Sequence, residues 1–580
     1  DYTGWWKRDM QKTYQSGFMS DKTARLNTYT NYGGNWVLSN TLQYKVDLGK
    51  SNFDILVGQE MMKYRLEDMS AGRDGFLLEN EDYMYLSVGD GNLRNAGGAT
   101  SYALSSFFGK VNYSYDNRYL ASVTVRRDGS SRFGKNNRWG TFPAFSLGWR
   151  VSEEGFFEGA KNIVSDLKLR YGWGKTGNQE IDNYASYGLY QARYYTDATW
   201  GRDQGTAYDI TGTGQGQLPS GFIRTQRVNP DLKWETTRQL DFGLDLAFFQ
   251  GSLRATFDYF DRQTSDMLVQ VPVPSSLGFP NTPWMNAGSV SNKGFEVTLG
   301  YDGKIGNDFQ YHINGNVSTY KNKVKSLGSG ANIPGKGIHL GYFSYTMTEP
   351  GQPIGYFYGY KTDGVFQTQE EIDNYKNNGQ MVMPNAKPGD LKFQDLNKDG
   401  KLDDEDRTMT GNPHPDFTFG LTLGAEWKGF DISAFFQGSV GNDILNILKY
   451  DIYSGTGWYN APKDILTTYW NGPGSTNENF AIDADSRMNL EMSDWYVENG
   501  SYVRLKNLTI GYTLPSEWTK KITINNLRFF VAAQNLFTIT GYSGLDPEIG
   551  EINNSPLYKG CDMGFYPQPR TFMFGLSLKL

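Results

Sequence analysis

One acidic stretch, residues 395–406, has the residue types and the spacing of a loop that binds a divalent cation. It reads DLNKDGKLDDED, in which Gly400 permits a sharp turn and Leu402 supplies an apolar position. Positions 1, 3, 5, 7, 9 and 12 of an EF-hand-type loop supply the oxygen ligands, the seventh through its main-chain carbonyl. Here these positions are Asp395, Asn397, Asp399, Lys401, Asp403 and Asp406. The spacing predicts a bound Ca²⁺ or Mg²⁺ with a structural role.

The alternative for this stretch is an acidic, solvated turn without a metal. Asp406 stands at position 12, where Glu is usual, so its carboxylate reaches less far and would bind the ion through one oxygen. Asp and Asn side chains also stabilise turns by accepting hydrogen bonds from nearby backbone amides. Neither interpretation assigns catalysis, because no nucleophile or general base accompanies the loop.

The remaining residues with reactive side chains do not form a pattern that an enzyme needs. The chain has one cysteine, Cys561, which excludes internal disulfides, and three histidines that lie far apart, His312, His339 and His414. No acid–base pair and no nucleophile motif emerges from the sequence. The chain is therefore predicted not to be an enzyme, and no residue is assigned to substrate binding.

Three segments allow a binding role or a structural role. A basic stretch at 126–132 with Lys135, Arg138 and Trp139 can bind anionic sugars or phosphate, although ion pairing at strand ends is favoured. Residues 443–453 read as a short helix that either binds a partner or forms part of a small loop core. Six aromatic residues can stack on sugar rings or peptide side chains, or pack the loops together: Tyr194, Tyr195, Trp200, Trp458, Tyr459 and Trp470.

The segments that position these residues read as β-strands with one apolar face. In residues 571–580, TFMFGLSLKL, every second side chain from Phe572 to Leu580 is large and apolar. About fifteen strands follow this template. In residues 417–427 the same pattern predicts that Leu421 and Leu423 face lipid and Thr422 faces a lumen. The shared lipid face includes Phe417, Phe419, Ala425 and Trp427, and the lumen face includes Thr418 and Gly420.

Composition supports an all-β protein that meets two media. The 580 residues have a mean hydropathy of -0.57 and 15% aromatic residues, and no apolar run approaches the roughly 18 residues of a membrane helix. The net charge of -7 argues against a nucleic-acid partner. Because position 1 is Asp and no signal peptide is recognisable, the chain is predicted to be a mature or truncated product.

The connections between strands are short at one end and long at the other, as in outer-membrane barrels. Tight turns fall at 116–117, 250–251, 302–308 and 428–429, and the long polar loops span 67–100, 176–238, 263–293, 325–416, 441–500 and 538–570. Aromatic residues flank the tight turns, as an interfacial girdle requires: Tyr115, Tyr119, Phe248, Tyr301, Phe309, Trp427 and Phe430. The prediction is a transmembrane antiparallel β-barrel, and the alternative is a water-soluble sandwich or propeller.

Several blocks in order resemble the SusC/RagA-type TonB-dependent transporters of the Bacteroidetes outer membrane. The likeness runs from about Trp36 to the C-terminus, and its blocks lie at 109–157, 167–181 (LKLRYGWGKTGNQEI), 229–245 (NPDLKWETTRQLDFGLD), 288–299 (GSVSNKGFEVTL), 353–366 (PIGYFYGYKTDGVF), 388–443 and 500–547. The resemblance implies a 22-stranded barrel with a plugged lumen, of which residues 1–580 are the C-terminal portion. The plug, the TonB box and about seven first strands are expected upstream of Asp1.

The resemblance also implies a function and partners. The expected activity is TonB-energised import of an oligosaccharide or a peptide across the outer membrane, with a SusD-like surface lipoprotein as lid. TonB would act through the upstream region, the barrel would contact outer-membrane lipid, and two transporter–lid pairs would form a dimer. The alternatives are a TonB-dependent receptor for a siderophore or cobalamin, and a passive porin.

Overall fold

A computed structural model shows an all-β chain built on one large antiparallel sheet. The described residues are 2–16, 19–21, 23–191, 195–197, 202–204, 223–271, 283–328, 330, 332–336, 344–453, 460–482, 487–519, 523–552 and 555–579. Within them, no helix is long and apolar enough to cross a membrane.

Sixteen strands form this sheet, and each pairs with its neighbours in chain order. The prediction of about fifteen strands is therefore close. The strands are β1 (Tyr2–Gln11), β2 (Arg25–Leu48), β3 (Ser51–Asp74), β4 (Arg94–Tyr115), β5 (Tyr119–Ser130), β6 (Trp139–Arg150), β7 (Val164–Asn178), β8 (Glu235–Phe248), β9 (Leu253–Ser265), β10 (Ser289–Ile305), β11 (Phe309–Ser326), β12 (Phe417–Trp427), β13 (Phe430–Val440), β14 (Tyr502–Thr513), β15 (Asn526–Thr540) and β16 (Thr571–Lys579).

The two faces of the sheet differ in polarity, because side chains alternate along each strand and directly opposite residues share a face. On β12, Leu421 pairs with Gly315 of β11 and Phe436 of β13, while Thr422 lies on the other face opposite Asn314. We call the first the apolar face and the second the polar face. The predicted register of β12 and of β16 is confirmed, since Phe574 and Leu576 pair with Val531 and Phe529 on the apolar face.

The longest connections all lie at one end of the strands, which confirms the predicted asymmetry, and the other end has tight turns and two connections of intermediate length, 151–163 and 514–525. At the short-turn end, Lys428 and Gly429 both have positive φ, of 46° and 87°, and form a two-residue hairpin turn. Aromatic rings meet there, as in the pair Phe430 and Tyr512, whose centroids lie 4.4 Å apart. The loop predicted at 67–100 is shorter, since β3 runs to Asp74 and β4 begins at Arg94. The prediction ended both strands where polar residues appear on both faces, but a strand can continue with such residues once it has left the membrane and lies in solvent.

The long loops contain short elements of their own. The small strands are Tyr14–Ser16, Met19–Asp21, Tyr190–Gln191, Tyr195–Asp197, Arg202–Gln204, Ile223–Arg224, Leu268–Gln270, Trp284–Asn286, Ile333–Lys336, Ser344–Thr348, Tyr356–Gly359, Thr362–Val365, Lys376–Asn377, Gln380–Met381, Leu391–Phe393, Thr408–Gly411, Asp443–Asn446, Val497–Asn499 and Cys561–Asp562. The α-helices are Gln369–Asn374, Leu448–Tyr453, Ile465–Thr468 and Ser516–Thr519, and short 3₁₀ turns include Val151–Glu153, Gly155–Ala160, Phe249–Gly251, Asp404–Asp406, Arg487–Leu490, Asp494–Tyr496 and Pro556–Tyr558.

The largest hydrophobic clusters lie in the loops rather than in the sheet. Residues of loops 327–416, 441–501 and 541–570 pack together, and we call this unit the loop body. Its two main clusters contain Tyr360, Val365, Phe366, Ile372, Val382, Met383, Leu391, Phe393 and Phe480, and Tyr345, Phe357, Leu445, Ile447, Met492, Tyr496 and Cys561. The sheet has no comparable core because each of its faces meets a different medium.

Candidate functional site

The polar face lines a cavity of about 1230 Å³. Side chains from β2 to β11 contribute to its wall, among them Asp54, Arg170, Asp241, Asp258, Arg262 and Glu296. An aqueous interior needs such a surface, because charged side chains on the wall keep it wetted. The cavity is the first part of the candidate site.

Arginines on the polar face are held by carboxylates of neighbouring strands. Arg170 donates two hydrogen bonds of 2.8 Å to Asp245 and one of 3.2 Å to Asp258. Its guanidinium lies over Gly243, where a Cβ would come within 2.4 Å of the guanidinium carbon. Arg528 reaches Asp431 across Gly511 in the same manner. Glycine on the intervening strand therefore allows an arginine to span three strands and fixes its charge on the wall.

The basic stretch at 126–132 takes part in this ion pairing, which confirms the favoured interpretation. Arg126 donates to Asp128 at 2.7 Å and to Ser106 at 2.9 Å. Arg132 is buried, donates to Glu180 at 3.1 Å and to Asn183 at 2.9 Å, and stacks on Tyr102. Both arginines are thus held mainly by groups of the protein itself.

The lone cysteine and the described histidines form no reactive site. Burial raises the pKa of the Cys561 thiol to about 12, so it stays protonated and inert. Burial and the nearby Lys559 lower the pKa of His414 to about 4, and its ring contacts the Ile354 carbonyl and the Tyr320 hydroxyl. His312 lies on the polar face of β11, and His339 lies outside the described residues.

The predicted loop aromatics divide into those that pack and those that the structure does not describe. Trp470 packs within the loop body and donates to the Gln367 side chain at 3.2 Å. Residues 443–453 form a strand followed by a helix, and Ile444, Leu445 and Ile447 are buried, which favours the loop-core interpretation. Four of the predicted aromatics lie outside the described residues: Tyr194, Trp200, Trp458 and Tyr459. Of Tyr195 only the backbone is described.

The acidic loop is the second part of the candidate site and lies in the loop body. Several of its side chains accept hydrogen bonds from loop amides, in the spacing of an EF-hand-type turn. Asp395 accepts from the Gly400 amide at 2.9 Å, Asn397 from Asp399 at 2.9 Å and Asp399 from Lys401 at 2.8 Å. Asp403 accepts from Glu405, and the fully buried Asp406 accepts from Leu396 and from Asp403. Lys401 contacts this set through its backbone amide, which is the donor to Asp399.

Two features of this loop bear on cation binding. Among the described residues, no three His, Cys, Asp or Glu side chains converge on one point, so the loop has the geometry of a hydrogen-bonded turn. Asp395 is 7% exposed, and its Oδ1 atom has no hydrogen-bond partner, although its Oδ2 accepts from Asn377 and Gly400. Burial opposes ionisation, yet these bonds hold the pKa of Asp395 below its usual range. A buried carboxylate oxygen without a donor is costly unless a cation faces it.

The acidic loop is tied to the rest of the loop body through its last turn. Arg407, directly after Asp406, bridges Asp404 at 3.0 Å and Glu491 at 2.8 Å and stacks on Tyr360. Gly400 has a φ of 91°, and a Cβ there would lie 2.5 Å from the Asn377 carbonyl oxygen. Order in the acidic loop is therefore linked to the packing of residues 360 and 491.

A sixteen-stranded antiparallel sheet with an apolar face, a polar face and long loops at one end defines the class of outer-membrane β-barrel proteins. Residues 1–536 match the family model described as TonB dependent receptor-like, beta-barrel, and the chain belongs to this family. The protein is thus an outer-membrane protein, and the family is one of receptors, not of enzymes.

Relatives and solved structures cover the same region. TonB-dependent receptor P3 of Formosa agariphila is 33% identical over 554 residues, which are 94% of this chain and 52% of that protein. TonB-dependent receptor SusC of Bacteroides thetaiotaomicron is 31% identical over 576 residues, covering 95% and 50%. The RagAB peptide importer in its closed-closed state has a TM-score of 0.79 at 25% identity and covers 100% of this chain and 59% of that chain. The chain spans about half the length of the curated relatives it matches.

Sequence reasoning missed the charged residues that link strands and loops. Arg170 with Asp245 and Asp258 depends on the register of three strands, which no local pattern reveals. Arg504 with Asp546 joins a strand to a loop 42 residues away. The Arg170 ion pairs could have been found from one pattern, a charged residue at a lumen-facing position directly opposite a glycine of the next strand, here Gly243.

Proposed function

We propose that this chain forms the barrel of an outer-membrane importer that takes up an oligosaccharide or a peptide with energy from TonB. The observation that carries the proposal is the similarity over the whole chain to the RagAB peptide importer, combined with a charged cavity on the polar face. Large hydrophilic nutrients need a wide, wetted passage, and in wide barrels that passage must be plugged at rest.

Liposomes distinguish this proposal from a passive porin. We expect the full-length protein, reconstituted without TonB, to pass small sugars no faster than protein-free liposomes, because a plugged lumen opens only on demand. Swelling assays with a series of neutral sugars measure this rate, and a known porin is the control. Free passage of small solutes by this protein would favour the porin and contradict the importer.

The proposed partner is a SusD-like surface lipoprotein that closes the long-loop end. Loops 179–234, 327–416 and 441–501 expose large apolar side chains there, including Tyr187, Tyr190 and Leu466. Contiguous exposed apolar surface is typical of a protein contact, and the proposed lid would cover these side chains. A dimer of two such pairs and contact with outer-membrane lipid belong to the same proposal. Purification from native membranes without any such lipoprotein would contradict this part.

We also propose that the acidic loop at 395–406 binds Ca²⁺ or Mg²⁺ with a structural role. Support comes from the spacing of Asp395, Asn397, Asp399, Asp403 and Asp406 together with the unsatisfied Oδ1 of Asp395. The Lys401 carbonyl is the proposed main-chain ligand. Small rearrangements of the turn would bring these oxygens to one ion, because each carboxylate has a second oxygen to offer.

Asp399→Ala is expected to remove the stabilisation that Ca²⁺ gives this loop. With free Ca²⁺ at one hundred times Kd, linkage predicts about 2.7 kcal/mol for the wild type. Protease protection of residues 391–411 with Ca²⁺ and with chelator measures the effect. Asp373→Ala, at an exposed helix in the same loop, is the matched control and should keep the Ca²⁺ response. Equal protection of the wild type with and without chelator would refute the cation site.

A further inference from the structure

A row of basic residues crosses strands β7 to β11 on the apolar face, at the end nearer the long loops. All five side chains are exposed, and we call them the basic row: Lys175, Arg238, Lys293, Lys321 and Lys323. On β7, β8 and β10 they lie one step of the alternation beyond the last apolar residue, which is Trp173, Leu240 and Phe295, and on β11 they lie two and three steps beyond Val317. Strand β9 contributes no cation, and its last apolar residue on this face is Tyr259. The basic row therefore borders the lipid-facing surface on the side of the long loops.

Strand register brings like charges together within the basic row. Lys175 of β7 is directly opposite Arg238 of β8, and Lys293 of β10 is directly opposite Lys321 of β11. Like charges in directly opposite positions destabilise a sheet. In the described strands at this level, Asp261 is the one carboxylate on this face, and it pairs with Lys293 at 2.7 Å. Five cations thus share one carboxylate.

The cations at the short-turn end are arranged differently. Lys50 lies 2.9 Å from Asp116, Arg254 lies 2.7 Å from Asp302, and Lys428 lies 3.6 Å from Asp308. Arg254 and Lys428 each have a carboxylate of their own, and Lys50 shares Asp116 with Arg118. On the apolar face, the uncompensated positive charge therefore lies at the long-loop end, and it calls for an anion from outside the chain.

We propose that the basic row binds the phosphate groups of a glycolipid in the outer leaflet of the membrane. Phosphate oxygens between Lys175 and Arg238, and between Lys293 and Lys321, would convert both repulsions into charge-assisted hydrogen bonds. The acyl chains of the same lipid would lie on Trp173, Tyr259 and Phe295, since aromatic side chains favour the level just below the head groups. This inference rests on the outer-membrane location and does not depend on what the protein imports.

Lipid binding by matched charge variants tests the inference. The probe is diphosphoryl lipid A, added to the full-length protein in a neutral detergent, and native mass spectrometry measures the bound fraction. Lys175→Gln/Lys321→Gln should weaken binding roughly tenfold to thirtyfold, because a basic residue near a charged membrane surface contributes about 1 kcal/mol. Lys50→Gln/Lys428→Gln, which removes the same charge at the short-turn end, should change binding less than about twofold.

A charge reversal separates lipid binding from a general loss of folding. Lys321→Glu should pair with Lys293 across the strands, raising the melting temperature in neutral detergent while weakening lipid A binding. The wild type should gain thermal stability from diphosphoryl lipid A but not from its dephosphorylated form. Equal binding by the wild type and Lys175→Gln/Lys321→Gln would overturn the proposal. An equal gain from the dephosphorylated form, or from inorganic phosphate at the same concentration, would also overturn it.

Discussion

Deletion of the gene for this protein is expected to abolish growth on one complex glycan or peptide source and to leave growth on its small products unchanged. A large hydrophilic nutrient does not cross the outer membrane unaided, whereas its small products pass through general porins. The charged cavity on the polar face, lined by Arg170, Asp241 and Asp258, suits a hydrated, hydrophilic solute. Growth curves on matched polymer and monomer sources measure the effect.

The control for this phenotype is the energy source. Removal of TonB should give the same growth defect on the same source, because the proposed opening of the plug depends on TonB. Complementation with the wild-type gene should restore growth. If the deletion strain grows normally on every polymer tested, or if it fails on a metal-chelate source instead, import of a large nutrient is the wrong function.

The sheet could be predicted from the sequence because every strand is subject to the same constraint. A strand between lipid and an aqueous interior must alternate, and it does so in Phe417–Trp427 and in Thr571–Lys579. Turn chemistry set the register, as at Lys428 and Gly429. Strand ends were less predictable, since β3 and β4 continue past the apolar band with polar residues on both faces.

The loop body could not be predicted because its contacts join residues far apart in the chain. Thr346 donates its hydroxyl to the Leu557 carbonyl at 2.6 Å across 211 positions, and Leu391 donates its amide to Asn489 across 98. Local periodicity carries no information about such pairs. The same limit applies to the acidic loop, in which spacing identified the candidate ligands but not the burial of Asp395 and Asp406.

One buried ion cluster attaches the last long loop to the sheet. Arg504 of β14 is 3% exposed and donates to Asp546, itself 6% exposed, and to Glu548, at 2.6 Å in both cases. It also donates to the Thr538 hydroxyl at 2.7 Å, and Lys506 contacts Glu548. Asp546 accepts from the Gln568 amide at 2.9 Å, so the cluster joins both ends of loop 541–570.

Arg504→Met is expected to destabilise this loop by about 3 to 5 kcal/mol, because it leaves Asp546 buried without its cation. Protease cleavage within 541–570 and hydrogen exchange of the same segment measure the loss. Arg504→Met/Asp546→Asn should recover part of the stability, since the double variant no longer buries an unpaired charge. Arg528→Met, which breaks the half-exposed pair with Asp431, is the matched control and should leave the loop protected.

Acid should weaken the same attachment in the wild type. Burial opposes ionisation of Asp546, but the Gln568 amide and Arg504 hold its pKa below the usual aspartate range. A depressed folded-state pKa gives stability that is present at neutral pH and is lost as the pH falls through that pKa. Loop 541–570 should therefore become sensitive to an acid-active protease at a pH where the sheet is still intact.

An Arg504→Met variant with unchanged protection at neutral pH would show that apolar packing, and not the ion cluster, holds the loop.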